Sequence, residues 1–247
     1  MSQRTILLIF GYDGFDFKGW QVQPGLPSIQ AEMLRAIAGV IGEQPNLEVS
    51  GRTDAGVHAI AQAASFETAA TIPCENLVKA INRFLPPTIR IFSAEERSPG
   101  FHARFHAQAK TYRYRIYRGW VCPPERWRYV HHFPYPLELE AMHRAAAEFL
   151  GGHDFTSFTS PEELPKGSAE RTIYRSQFTE ADGELAYTVC GSGFLHHMVR
   201  NMVGTLLEVG KGNLQVQDIP RILAARDRRT AGPTLPGKGL WLIEVEY

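Results

Sequence analysis

The chain has 247 residues, 44% of them hydrophobic, with 26 Lys and Arg balanced by 26 Asp and Glu and only three cysteines. That composition belongs to a globular protein with one large core or two smaller ones, and it excludes a disordered or low-complexity chain. No apolar run reaches membrane-spanning length, residues 6–10 are too short for a signal-peptide core, and Cys74, Cys122 and Cys190 form no C-x-x-C pair, so a reducing cytoplasm is expected.

Taken in chain order, residues 5–11 predict an apolar strand, and Ser28 caps a helix whose stripe is Ile29, Met33, Leu34, Ile37 and Ile41. Residues 47–50 and 61–68 read as strands on either side of a loop around Asp54. Residues 75–85 read as a helix stopped by Pro86-Pro87, and 89–95 as a closing strand. The pattern then repeats. Residues 109–117 predict a strand with Tyr112, Tyr114 and Ile116 on one face and Arg113, Arg115 and Tyr117 on the other. The Pro- and aromatic-rich segment 119–136 matches no regular element and is expected to be an ordered excursion. Residues 139–150 predict a helix, 160–170 a polar loop with no assignable function, and 173–179 with 185–190 a hairpin across Asp182-Gly183. A helix over 197–209 carries apolar Met198, Val199, Met202, Val203, Leu206 and Leu207, with Gly204 permitting close packing. A short helix over 219–225 and a strand over 240–247 end the chain.

Two copies of strand, helix, strand, strand, helix, strand without repeated right-handed crossovers predict an α+β fold of mixed, mostly antiparallel sheets. Two ferredoxin-like subdomains, 1–106 and 107–247, are the expected organisation.

Net charge zero argues against a nucleic-acid partner, but its distribution argues for one. Eight Arg or Lys residues between Arg97 and Arg128 face the single acid Glu125, and the stretch from Arg221 to Lys238 is similarly lopsided. Tyr112, Tyr114, Tyr117, Trp120, Trp127 and Tyr129 interleave with the first of these basic runs, as in surfaces that stack unpaired bases. A solvated surface with ordinary charge scatter is the plain alternative.

The most informative string is Gly51-Arg52-Thr53-Asp54-Ala55-Gly56-Val57-His58-Ala59. An Asp in a Gly-flanked turn often serves only the nearby backbone. Here Gly51 and Gly56 let the carboxylate be held away from the chain, and an arginine within reach, Arg52 or Arg200, would keep it ionised. An attacking carboxylate has to be an anion.

Together with Tyr12-Asp13-Gly14, Phe17-Lys18-Gly19-Trp20-Gln21, Phe101-His102-Ala103-Arg104-Phe105, Lys110-Thr111-Tyr112-Arg113-Tyr114, Gly152-His153-Asp154-Phe155, Gly193-Phe194-Leu195, Met198-Val199-Arg200 and Ala231-Gly232-Pro233-Thr234, this string resembles the tRNA pseudouridine synthase A family over nearly the whole chain. The resemblance implies two adjoining ferredoxin-like subdomains with a basic cleft between them. It implies a cofactor-free, metal-free isomerase that acts on uridine in the anticodon arm of tRNA at positions 38 to 40, after flipping the base out of its stack. Asp54 is then the catalytic residue, attacking the ribose or the uracil ring or abstracting a sugar proton. Tyr112 packs on the target base and helps move a proton, and Arg200 partners Asp54. Arg52 fills the space of the flipped base, with Arg104, Lys110 and His58 as further substrate contacts. A homodimer is also implied. Read by themselves, Tyr112 favours core packing on its strand face, and Arg200 fits a surface arginine. A non-catalytic tRNA-binding protein and an aspartate-dependent nucleotide hydrolase are the rival classes.

Other signals fail on spacing. Residues 204–211 have five residues between their glycines, and Gly212 stands where a phosphate-binding loop needs Ser or Thr. His102 and His106 lack the Glu and the third ligand of a metal helix, and Pro73-Cys74 lacks the second cysteine of a deaminase. His131-His132 and His196-His197 are expected to be polar rather than ligating residues. His106 and the segment 235–238 depart from the family's usual wording.

Overall fold

The computed structural model describes residues 3–164 and 167–247, so Pro165 and Lys166 of the polar stretch 160–170 lie outside the described residues. The chain forms two compact units, Met1–Gln108 with Trp241–Tyr247, and Ala109–Leu240.

The first unit contains β1 (Arg4–Tyr12), α1 (Ile29–Ile41), β2 (Glu48–Val49), β3 (His58–Thr68), α2 (Cys74–Phe84) and β4 (Ile89–Arg97). β1 pairs antiparallel with both β4 and β3, and β2 pairs antiparallel with β3. The order β4-β1-β3-β2 is the split arrangement of a ferredoxin-like unit. Alternation along β1 sends Ile6, Leu8, Phe10 and Tyr12 to one face, all buried, as are Ile29, Met33 and Ile37 of α1 and Leu77 and Ile81 of α2. Trp20 packs on Phe10 at 5.8 Å between ring centroids.

The helix ends are where the sequence puts them. Ser28 Oγ accepts from Ala31 N at 3.3 Å, and Gly42 closes α1 in the left-handed region at φ 78°. Leu85, before Pro86, is extended and ends α2.

The second unit contains β5 (Ala109–Tyr117), α3 (Pro124–Trp127), β6 (His131–His132), α4 (Leu139–Ala147), β7 (Gly151–Asp154), β8 (Glu170–Ala181), β9 (Glu184–Gly191), α5 (Met198–Gly210) and α6 (Asp218–Ala225); β10 (Leu240–Glu246) follows. The strands run β5-β9-β8-β7, all antiparallel. α4 packs on α5 and β8, and α5 packs on β5. The β8–β9 hairpin pairs Ala181 with Glu184 across Asp182 at φ 51° and Gly183 at φ 76°, the two positive values that a tight two-residue turn demands. β10 runs parallel to β3, pairing Trp241 with His58. The expected α+β class, with mostly antiparallel strands and helices packed on them, is what the chain adopts.

Three expectations change in detail. β3 starts at His58, three residues before residue 61, because its pairing with β1 continues past an irregularity that breaks the alternation. The excursion 119–136 is not devoid of regular structure: it holds α3 and the two-residue β6, which pairs with Ile116 and Tyr117. α4 stops at Ala147, its exit tightening into three-residue bonds such as Phe149 N to Ala146 O at 3.3 Å.

Candidate active site

In the first unit the Asp54 loop is built on a buried polar lattice. Tyr12 Oη lies 2.8 Å from Thr53 Oγ1, and Gln62 Nε2 lies 3.4 Å from the same tyrosine oxygen. Gln62 Nε2 also donates to Gly51 O at 3.0 Å, while its Oε1 accepts from Ser50 Oγ at 2.7 Å. Gln62 and Ser50 are wholly buried, so these groups have no recourse to water and bond each other. One amide therefore holds the Ser50-Gly51 end of the segment before Asp54, and Tyr12 links it to the Thr53 end. Burial pushes the Tyr12 phenol up to about 12, with hydrogen bonds from Thr53 and Gln62 acting the other way and the Asp54 charge adding to the rise. Tyr12 is accordingly a neutral hydrogen-bonding group at physiological pH.

The turn itself is closed by Val57 N to Asp54 O at 3.2 Å, with Gly56 third at φ 76°. That left-handed third position is the one a turn of this kind reserves for glycine. Gly14 allows the neighbouring segment to press on it, since a Cβ there would stand 1.9 Å from Val57 O. Asp54 is half-buried and Arg52 exposed. No hydrogen bond or ion pair of the Arg52 guanidinium is seen among the described residues.

His58, expected among the substrate contacts, is fully buried. Its Nδ1 lies 3.1 Å from Gly14 N and 3.2 Å from Asp13 Oδ1, and its ring stacks on Trp241 at 4.3 Å. Whichever of those two contacts carries the proton, the ring is fixed to the 13–14 turn. Its place is in the support of the loop, which corrects the sequence expectation. Arg104 is exposed beside Phe105, its guanidinium 5.8 Å from that ring.

In the second unit, Lys110 and Tyr112 lie on β5, the first half-buried and the second 7% exposed. The Tyr112 ring meets Phe194 edge-on at 5.1 Å. Arg200 leaves α5 half-buried, its Nε donating to Leu235 O at 2.6 Å. Tyr114 donates to the next carbonyl, Pro236 O, at 2.8 Å. Burial raises the Tyr114 pKa, and the Arg200 charge acts the other way.

The segment holding Arg200 is itself locked to α5. A Cβ on Gly204 would stand 1.8 Å from Pro233 O. Fully buried Asn201 accepts from Thr234 Oγ1 at 2.6 Å and from Arg228 at 3.1 Å, and it donates to Phe158 O at 2.7 Å. Sequence reasoning missed Gln62 and Asn201, although both carried a readable signal. Each is a lone amide within an apolar run, and a buried amide has to be satisfied by something.

The basic stretches are less basic in space than in sequence. Arg115 forms a two-pronged pair with Glu184 at 2.7 and 2.9 Å, and Arg126 reaches the same carboxylate at 3.2 Å. Arg221, Arg226 and Arg229 pair with Asp218, Asp154 and Asp227. His131 is held neutral, pushed down to about 4 mainly by burial, and its ring meets Tyr114 edge-on.

A partly exposed carboxylate on a rigid turn can act as nucleophile or base without a folding transition. Its aim depends on the lattice beneath it. Tyr12→Phe is expected to lower stability by about 1 to 3 kcal/mol, because Thr53 Oγ1 and Gln62 lose a buried partner. Urea unfolding measures this, and adding Thr53→Val to that background is expected to cost little more, since both changes remove one bond.

A family model described as tRNA pseudouridine synthase matches residues 145–247. The tRNA pseudouridine synthase A of Solibacter usitatus is 49% identical over 246 residues, covering 99% of this chain and all of that protein. The proteins of the same name from Caldicellulosiruptor bescii and Brevibacillus brevis are 42% and 44% identical over 244 residues, each covering 99% of this chain and all of the relative.

Proposed function

The chain belongs to the tRNA pseudouridine synthase A family, and on that footing we propose that Asp54 is the group that attacks the substrate uridine. The protein is an isomerase that converts uridine to pseudouridine in tRNA. The reaction breaks the bond from ribose C1′ to uracil N1 and forms one from C1′ to C5; the proton leaving C5 is matched by one gained at N1. Atoms and electrons balance without a redox partner or net hydrolysis, so the chemistry calls for no cofactor.

The substrate positions are 38 to 40 of the anticodon arm, reached by turning the uridine out of its stack. Asp54 forms a covalent intermediate with the ribose or the base, or takes a sugar proton. Tyr112 packs on the extruded uracil, Arg200 steadies the Asp54 anion, and Arg52 enters the vacated stack. Arg104 and Lys110 contact the RNA backbone. The carrying observation is the Asp54 turn, a partly exposed carboxylate fixed from below by Thr53, Tyr12 and Gln62, with exposed Arg52 two residues away. The enzyme works as a homodimer in the cytoplasm. Among the described residues no helix is long and apolar enough to cross a membrane.

The test is unmodified tRNA transcript incubated with the purified protein. Pseudouridine mapped by chemical labelling is expected at positions 38 to 40 with no change in RNA mass. Release of free uracil would instead identify a hydrolase. Affinity for tRNA is expected to drop at least about tenfold between roughly 50 and 200 mM salt, since each phosphate contact releases counterions. A flat titration would contradict binding through Arg52, Arg104 and Lys110.

A further inference from the structure

Both neighbours of β1 depart from regular pairing within a few residues of each other, toward β4 between Ile9 and Phe10 and toward β3 between Phe10 and Tyr12. Toward β4, Ile9 pairs with Ser93 and Phe10 with Ile91, which leaves Phe92 as the extra residue. Toward β3, Phe10 pairs with Gln62 and Tyr12 with Ala59, so Ile60 and Ala61 together oppose Gly11. Extra residues of this kind re-aim side chains. Here two large apolar ones are turned outward, Phe92 at 60% and Ile60 at 50% exposure.

A Cβ on residue 11 would stand 2.9 Å from Phe92 Cε2 and 2.9 Å from Ile60 O, so the ring rests against bare backbone that any other residue would occupy. Phe10 and Tyr12 point into the buried core, which by alternation puts Gly11 on the opposite face of the sheet. Farther along that face Leu7, Ala63 and Ala103 are closed over by Phe101 and Tyr247. The ledge of Phe92, Gly11 and Ile60 is the open remainder. One residue on, Tyr12 bonds Thr53, the neighbour of Asp54.

We propose that this ledge is a stacking platform for an unpaired base of the RNA substrate, distinct from the contacts to the target uridine. The proposal rests on the reading of the protein as a tRNA-modifying enzyme. Exposed aromatics on a β-sheet are a common means of holding bases of single-stranded RNA, because every base offers a π-face whatever its sequence. The size of the patch selects the occupant. Two side chains provide far less than the roughly 1,200 Å² that a stable protein contact buries, whereas one base needs one ring. Arg90, opposite Gly11, does not charge the ledge, because its guanidinium donates to the carbonyls of Leu85, Pro86 and Ile89, so the platform is an apolar stack.

The experiment compares Phe92→Ala, Phe92→Leu and Phe92→Trp for tRNA Kd, KM, kcat and salt dependence. Phe92→Ala is expected to raise Kd and KM about fivefold or more, the scale of one lost stack, with kcat at saturating tRNA unchanged. Phe92→Leu should behave like the alanine variant and Phe92→Trp like the parent protein. The log-log salt slope should not move, since stacking releases no counterions. Unchanged KM in Phe92→Ala, or full affinity with leucine, overturns the platform. A change of sedimentation state with unchanged tRNA affinity overturns it in favour of a second copy of the chain. Failure of the wild-type protein to form pseudouridine would strike the underlying functional reading, whereas an active wild type with an indifferent Phe92→Ala strikes the platform alone.

Discussion

Asp54→Asn is expected to cut pseudouridine formation roughly ten-thousandfold or more, the scale of losing a nucleophile, while tRNA affinity stays within about twofold. Asparagine matches the shape of aspartate and loses only the anion, so the comparison isolates charge and nucleophilicity. The turn is closed by the Asp54 carbonyl, and the loop is held through Thr53 and Gly51, all of which the substitution leaves in place. Asp54→Glu keeps the anion but advances it by one methylene. It should lose at least about a hundredfold, because a displacement of about 1 Å at the reacting atom carries that cost. Single-turnover assays with labelled product detection read both variants, with thermal melting as the control. Turnover of Asp54→Asn within tenfold of the wild type would remove Asp54 from the chemistry.

The Asp54 loop was legible in the sequence because its chemistry is local: glycine, aspartate and glycine within six residues specify a turn that presents a carboxylate. What holds that turn was not legible. Tyr12, Thr53 and Gln62 meet only because β1 and β3 are neighbours in the sheet, a pairing that spacing alone does not supply. His58 shows the same limit from the other side. Its position beside Asp54 suggested a substrate contact, yet entry into β3 buries it against Trp241, residues away from it by most of the chain.

Charge followed a similar rule. The run from Arg97 to Arg128 is basic by count, but Glu184 lies on the strand beside β5 and takes up both Arg115 and Arg126. Counting along the chain overlooks acids delivered across a sheet. Elements with strong local signals emerged with little change: α1 between Ser28 and Gly42, and the hairpin at Asp182-Gly183. The two irregularities on either side of Phe10 left no such trace. An extra residue in a strand interrupts the period of two, and the interruption reads as a later strand start.

Gly204→Ala is expected to destabilise the protein by roughly 3 kcal/mol or more, although alanine is the better helix former by about 1 kcal/mol. The added methyl would stand 1.8 Å from Pro233 O and 2.9 Å from Pro233 C, both backbone atoms that cannot swing aside. Nor can the segment withdraw cheaply. Gly232 N is bonded to Thr205 Oγ1 at 2.8 Å, Thr234 Oγ1 to Asn201 at 2.6 Å, and Leu235 O to Arg200 Nε at 2.6 Å. Restoring normal contact means parting helix and segment and breaking several of these bonds. For a chain of this size the melting temperature should fall by roughly 6 to 12 °C. Turnover should fall with it, because the displaced segment is the one that anchors Arg200. Gly39→Ala provides the opposite sign. It lies within α1, and the nearest atoms to its new methyl are in the Phe84 ring at 3.5 to 3.7 Å, an ordinary contact. That variant should gain about 0.5 to 1 kcal/mol from helix propensity. Melting both by circular dichroism decides the matter, since propensity alone predicts that they shift the same way and packing predicts that they part. Equal shifts would mean that close approach to Pro233 does not hold α5 in place.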